Sequence, residues 1–265
     1  MKKAEIFTAF LPYPGKNERR IRVYVPEHGE SELLPVIYMT DGQNLFYEEE
    51  SAFGCWKVID AVEAEIKNGS SGAVIVGIDH GEIWRDNELT PGSIGTVHPT
   101  DMPCYTNAEG EIFDGFVLDT VMPYIESNFP VRRERESTAF CGSSSGGLQA
   151  FFTGLSHQER FSCIGAFSPA FLLYSAEDMR SWLGRTVTEN PPYLYIYTGA
   201  EGDLERRIFK SVEEVYDILT ELGYPYDLMN EVVLFENEHN EKSWSEVFRD
   251  FLHTFLFKAN KKADE

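Results

Sequence analysis

An α/β fold, with a mostly parallel central sheet and helices on both faces, is predicted by three features of this 265-residue sequence. Strand-like and helix-like segments alternate along the chain, the order that builds crossover connections. Ala73-Val74-Ile75-Val76-Gly77-Ile78 is an unbroken apolar run, as expected of a strand covered on both sides. The third feature is Gly142-Ser143-Ser144-Ser145-Gly146, which follows the apolar run Thr138 to Cys141 and precedes a helix opening with small residues. No repeat and no linker interrupts the series, so residues 1–265 are read as one domain.

The elements follow in order. Arg22 to Val25 and Val36 to Met39 read as early strands, and Trp56 to Ile66 carries Val58, Ile59, Val62 and Ile66 at helical spacing. After the run at 73–78, residues 83–111 are rich in Pro, Gly and Asn without a period. Connections of that length are usually functional or mobile. Phe116 to Phe129 reads as a helix despite Pro123. Beyond the Gly/Ser turn, Ile164 to Phe167 and Tyr193 to Gly199 are strands. Leu204 to Leu222 is an amphipathic helix stopped by Gly223 and Pro225. Glu231 to Phe235 is the last strand and Trp244 to Phe257 the closing helix, with residues 258–265 expected to be disordered.

Composition narrows the function. Apolar residues make up 42% and aromatics 14%, which suits a globular core. Forty-four acidic against 23 basic residues give a net charge of −21, a surface that repels nucleic acid and anionic membranes but not neutral substrates. No apolar stretch reaches membrane-span length, and the charged N-terminus is not followed by an apolar run, so a cytoplasmic location is expected. Cys55, Cys104, Cys141 and Cys163 are scattered without a C-x-x-C pair, arguing against a disulfide framework or a metal site. No cofactor is expected.

The chemistry centres on Ser144. It alone among three serines has glycine at −2 and +2, the frame of a nucleophile elbow in which a serine is exposed on a sharp strand-to-helix turn. A serine hydroxyl needs a base to take its proton and a carboxylate to orient that base. With the order serine, acid, histidine, the base is His239, the one histidine in a loop after the last strand. The acid should follow the strand ending at Gly199, where Glu201 lies nearest and Asp203 is the alternative; a serine–histidine dyad stays open. Oxyanion donors are expected from the N–H of Ser145 and from Gly42 or Gln43 in the loop after the strand at 36–39. Asp41 holds that loop or meets substrate hydroxyls. Trp84 and Trp244, with Phe46, Tyr47, Tyr105, Phe171 and Tyr174, are candidate rim aromatics that would bind substrate.

Four segments together carry a resemblance: Met39-Thr40-Asp41-Gly42-Gln43-Asn44-Leu45-Phe46, Cys141 to Gly147, Gly165-Ala166-Phe167-Ser168-Pro169-Ala170 and His239-Asn240-Glu241-Lys242-Ser243-Trp244. Over roughly Pro35 to Phe257 the chain resembles the putative-esterase (esterase D-like) family of α/β-hydrolases, relatives of feruloyl, acetylxylan and siderophore esterases. The resemblance implies an α/β-hydrolase fold and carboxylic-ester hydrolysis with Ser144 as nucleophile and His239 as base. Related sequences often place one more residue between the glycine and the acid than Gly199-Ala200-Glu201 does, so Glu201 and Asp203 both stay open. Acetyl or hydroxycinnamoyl esters of sugars are the expected substrates. The alternatives are a thioesterase of the S-formylglutathione hydrolase type and a catalytically silent carbohydrate- or partner-binding module.

Overall fold

Strand order decides where chemistry can sit in this molecule. The computed structural model describes residues 1–51, 54–98 and 107–261. Its strands are β1 (Glu5–Leu11), β2 (Arg19–Val25), β3 (Val36–Thr40), β4 (Val74–Ile78), β5 (Thr138–Ser143), β6 (Cys163–Phe167), β7 (Tyr193–Gly199) and β8 (Met229–Leu234). They form one sheet in the order β1-β2-β4-β3-β5-β6-β7-β8. β2 pairs antiparallel with β1 and β4, and every pairing from β4 to β8 is parallel. The chain crosses from β3 to β4 in one direction and on to β5 in the other. A crevice therefore opens at the carboxyl ends of β3 and β5, the usual place for a site in such a sheet.

The helices are α1 (Val58–Lys67), α2 (Arg85–Glu88), α3 (Gly110–Phe116), α4 (Met122–Asn128), α5 (Ser145–Ser156), α6 (Ala176–Thr186), α7 (Asp203–Glu221) and α8 (Glu241–Lys261). Strand residues alternate between the two sides. Ile37, Met39, Ala139 and Cys141 pack with α1 and α8, whereas Val36, Tyr38 and Phe140 pack with α3 and α4, joined by Ala150 of α5. Ile164, Ala166, Leu194 and Ile196 continue that second face under α5, α6 and α7. The sheet is thus sealed on both sides, and only its ends are open to substrate.

Several boundaries differ from the sequence reading, each for a physical reason. β1 was not expected. It is an edge strand with Phe7 and Phe10 turned outward, so neither an apolar run nor clean alternation marks it. The helix read over 116–129 starts earlier, at Gly110, and runs to Asn128 through a π-helical turn at Val117–Val121. Pro123 has no N–H, and its ring would collide with a carbonyl four residues back; a wider turn just before it relieves both conflicts. α8 begins at Glu241 and continues to Lys261, so residues 258–261 are helical; residues 262–265 lie outside the described residues.

Residues 83–111, expected to be an aperiodic loop, are only partly so where they are described. Their described part contains α2 and is anchored from below. Glu88 is fully buried, and Arg19 Nη1 and Nη2 each donate to it at 2.9 Å. Lys16 Nζ bridges Glu88 at 3.0 Å and Glu109 at 2.5 Å. Removing one partner of a buried pair leaves the other charge without compensation. Arg19→Ala should therefore cost about 3–5 kcal/mol, measured as a fall in the urea midpoint at unchanged slope. Residues 99–106, with Cys104 and Tyr105, lie outside the described residues. Among those described, no helix is long and apolar enough to cross a membrane.

Candidate active site

Ser144 stands where β5 ends and α5 begins, with φ 58° and ψ −126°. A non-glycine residue avoids such a backbone unless its surroundings impose it. The imposing contacts are visible. Ser144 N–H donates to the Phe167 carbonyl at 2.9 Å, and Ala170 N–H donates to the Ser144 carbonyl at 3.1 Å. A Cβ at Gly142 would collide with Thr40 Oγ1 and the Gly146 carbonyl, and one at Gly146 would also strike Thr40 Oγ1. The two flanking glycines are thus required by close approach to the end of β3.

His239 comes from the turn between β8 and α8. Its Nε2 lies 3.0 Å from Ser144 Oγ, 95 residues earlier in the chain. Its Nδ1 lies 2.6 Å from Oε2 of Glu205. The carboxylate at the imidazole is therefore neither Glu201 nor Asp203, both of which are exposed. Glu201 contributes its backbone N–H to the Asn237 carbonyl, at 3.1 Å. Asp203 is the first residue of α7, where an acidic side chain complements the helix dipole. Glu205 lies two residues further into the helix, on the same buried stripe as Ile208, Val212, Val215 and Leu219. That register turns it inward under the imidazole.

The second oxygen of Glu205 is equally engaged. Oε1 accepts Ser168 Oγ–H at 2.5 Å and Gly199 N–H at 2.8 Å. Burial by itself would raise this carboxyl, but the His239 ring, Ser168 and Gly199 outweigh it and hold the group below the usual glutamate range. With Nδ1 facing a carboxylate, the tautomer that leaves Nε2 free to accept from Ser144 is the favoured one.

Donors for a developing oxyanion are expected from two places. Ser145 is the first residue of α5, at the positive end of the helix. Its hydroxyl donates to Asp86 Oδ1 at 3.0 Å. After β3, Asp41 has φ 53° and leads into a tight turn over Gly42–Asn44, in which Asn44 N–H donates to the Asp41 carbonyl and Leu45 N–H to that of Gly42. The N–H groups of Gly42 and Gln43 precede these bonds at the open end of the turn. Gly42 is pressed onto β4, since a Cβ there would lie 2.6 Å from the Gly77 carbonyl carbon and 2.8 Å from Ile78 N.

Asp41 itself is buried, and Arg85 grips it through both oxygens, Nε at 2.6 Å and Nη2 at 2.7 Å. Burial would raise its carboxyl, yet the guanidinium holds it below the ordinary range. Both oxygens of this carboxylate are thus engaged within the protein. Arg85 thereby ties α2 to the β3 turn, a role that no motif in the sequence pointed to. Trp84 and Tyr47 are exposed, whereas Phe46, Phe171, Tyr174 and Trp244 are buried. Trp244, expected at the rim, instead stands edge-on to His239 with its Nε1–H donating to Ser168 Oγ at 3.0 Å. Among the described residues no group of three or more His, Cys, Asp or Glu could hold a metal ion.

Comparison with known proteins places this arrangement in context. The family model described as Putative esterase matches residues 15–199. The uncharacterized protein YbbA of Bacillus subtilis (strain 168) is 24% identical over 220 residues, covering 79% of this chain and 81% of that protein. The ferulic acid esterase AmCE1/Fae1A of Anaeromyces mucronatus, solved in complex with ferulic acid, superposes with a TM-score of 0.70 at 21% identity over 97% of this chain and 91% of that one. The enterobactin esterase FES of Shigella flexneri superposes with a TM-score of 0.71 at 20% identity, over 97% of this chain but only 60% of FES. These likenesses place the chain in the α/β-hydrolase fold.

Proposed function

The chain belongs to the Putative esterase family, which makes it a carboxylic-ester hydrolase, and we propose that it works through an acyl-enzyme on Ser144. The observation that carries this reading is the continuous run of hydrogen bonds from Ser144 through His239 to Glu205.

His239 Nε2 removes the Ser144 hydroxyl proton as Oγ attacks the ester carbonyl carbon. The carbonyl oxygen becomes an oxyanion, held by the N–H groups of Ser145 and of Gln43 or Gly42. Collapse breaks the bond to the alcohol oxygen, which leaves with the proton from His239. Water then enters, gives a proton to His239 and attacks the acyl carbon. The carboxylic acid departs and Ser144 regains its proton. Glu205 stays ionised throughout, fixing the imidazole and stabilising its protonated form.

The acyl group is small or aromatic and the alcohol is a sugar or a similar neutral molecule. Tyr47 and Trp84 remain exposed and suit a ring or a sugar face. The net charge of −21 disfavours an anionic siderophore, although a siderophore hydrolase, EstA of Aspergillus nidulans, is among the fold relatives. The free thiols Cys55, Cys141 and Cys163 accord with a cytoplasmic location.

A fluorophosphonate probe should label Ser144 and no other serine, read by peptide mass mapping. A panel of acetylated sugars, feruloylated sugars and acyl thioesters should then rank the oxygen esters of sugars highest in kcat/KM. No labelling of folded protein would reject the acyl-enzyme. A preference for thioesters would reject the substrate class alone.

A further inference from the structure

Glu205 is held on its far side by a side-chain relay that begins at Trp244. The Trp244 indole donates to Ser168 Oγ at 3.0 Å, Ser168 donates to Glu205 Oε1 at 2.5 Å, and Glu205 accepts from His239 Nδ1 at 2.6 Å. Ser168 is fully buried, and its backbone has φ 41°, a conformation that serine adopts only under constraint. Ser168 N–H donates to the Tyr197 carbonyl at 2.6 Å. The neighbouring Phe167 carbonyl accepts the Ser144 N–H, and Ala170 N–H donates to the Ser144 carbonyl. One short segment at the end of β6 thus grips the nucleophile by its backbone and the acid by a side chain.

The direction of the relay follows from donor chemistry. An indole N–H can only donate, so it occupies a lone pair of Ser168 Oγ and turns that hydroxyl's own proton toward another acceptor. The acceptor in reach is Glu205. Ser168 and Gly199 together pin Oε1, which leaves Oε2 aimed at the imidazole.

We infer that Ser168 is a positioning residue for ester hydrolysis, and that Trp244 sets the direction in which its hydroxyl donates. The inference rests on Glu205 being the carboxylate of the triad. Its structural content is that losing Ser168 Oγ lets the buried carboxylate turn, and with it the imidazole.

The test compares Ser168→Ala, Ser168→Gly and Trp244→Phe, each alone, with the double variant Ser168→Ala/Trp244→Phe. Ser168→Ala should lower kcat about tenfold, as expected for one hydrogen bond to a charged group, with KM within about a factor of two. Ser168→Gly relieves the backbone but lacks the hydroxyl, so it should lose the same activity. Trp244→Phe keeps an aromatic ring and loses the donor; its smaller loss should vanish in the Ser168→Ala background, because the two act in series. The downfield proton resonance of the His239 Nδ1–H should broaden and exchange faster with water in each variant.

Wild-type kcat in Ser168→Gly would overturn the inference, as would losses that multiply in the double variant. So would a fall in kcat with an unchanged His239 resonance, which would mean packing alone. Glu205→Gln serves as the control. If it is fully active, the triad reading fails first; if it is crippled while Ser168→Ala and Trp244→Phe are normal, only the relay fails.

Discussion

Ser144→Ala is expected to fold like the parent and to lose ester hydrolysis by a factor on the order of 10⁴ to 10⁶. The reason is position: among the described residues the hydroxyl hydrogen-bonded to His239 Nε2 is that of Ser144, at 3.0 Å. His239→Ala should cost a similar factor, and combining the two should cost little more, because residues that act as a unit do not contribute additively. The measurement is kcat/KM on p-nitrophenyl acetate, with circular dichroism to show that the fold persists. A Ser144→Ala protein that turns over at one tenth of the parent rate would end the acyl-enzyme proposal.

The second large effect belongs to Glu205. Glu205→Gln keeps the shape but not the charge, and should lower kcat roughly 10³- to 10⁴-fold. Glu201→Gln and Asp203→Asn should stay within about a factor of two of the parent, since both side chains face solvent. The same substitution has a stability signature. Because Glu205 is held below the ordinary glutamate range in the folded protein, its ionised form stabilises the fold fully above the unfolded value of about 4.3. That contribution is lost as pH falls through the lower folded value. The Tm should therefore fall less on lowering pH for Glu205→Gln than for the parent.

That Ser144 and His239 would meet was legible from local patterns: glycines at fixed offsets, and a histidine in a loop after the last strand. Glu205 was not, because the acid was sought in the loop at 200–203, whereas β7 feeds almost directly into α7. The mark it left is subtler. Glu205 shares the spacing of Ile208, Val212 and Val215, and a carboxylate in an otherwise apolar stripe must find a partner when buried. Trp244 misled in the opposite way, since an aromatic beside a site reads as a rim residue until its indole N–H is seen to point inward. Asp41 lies in the loop after β3. Its capture by Arg85 depends on a contact across 44 positions, which no spacing rule supplies. The fold class needed only the alternation and the buried strands, whereas β1, with apolar side chains facing out, obeyed neither.

Among the described residues, five non-glycine positions have positive φ, and three of them, Asp41, Ser144 and Ser168, surround the reacting groups. Glycine would relieve the backbone at each, but at Asp41 it would also strip Arg85 of its carboxylate partner. Laboratory evolution for heat tolerance with no activity screen would accordingly drift toward glycine at Ser144, and its most durable winners would be inert.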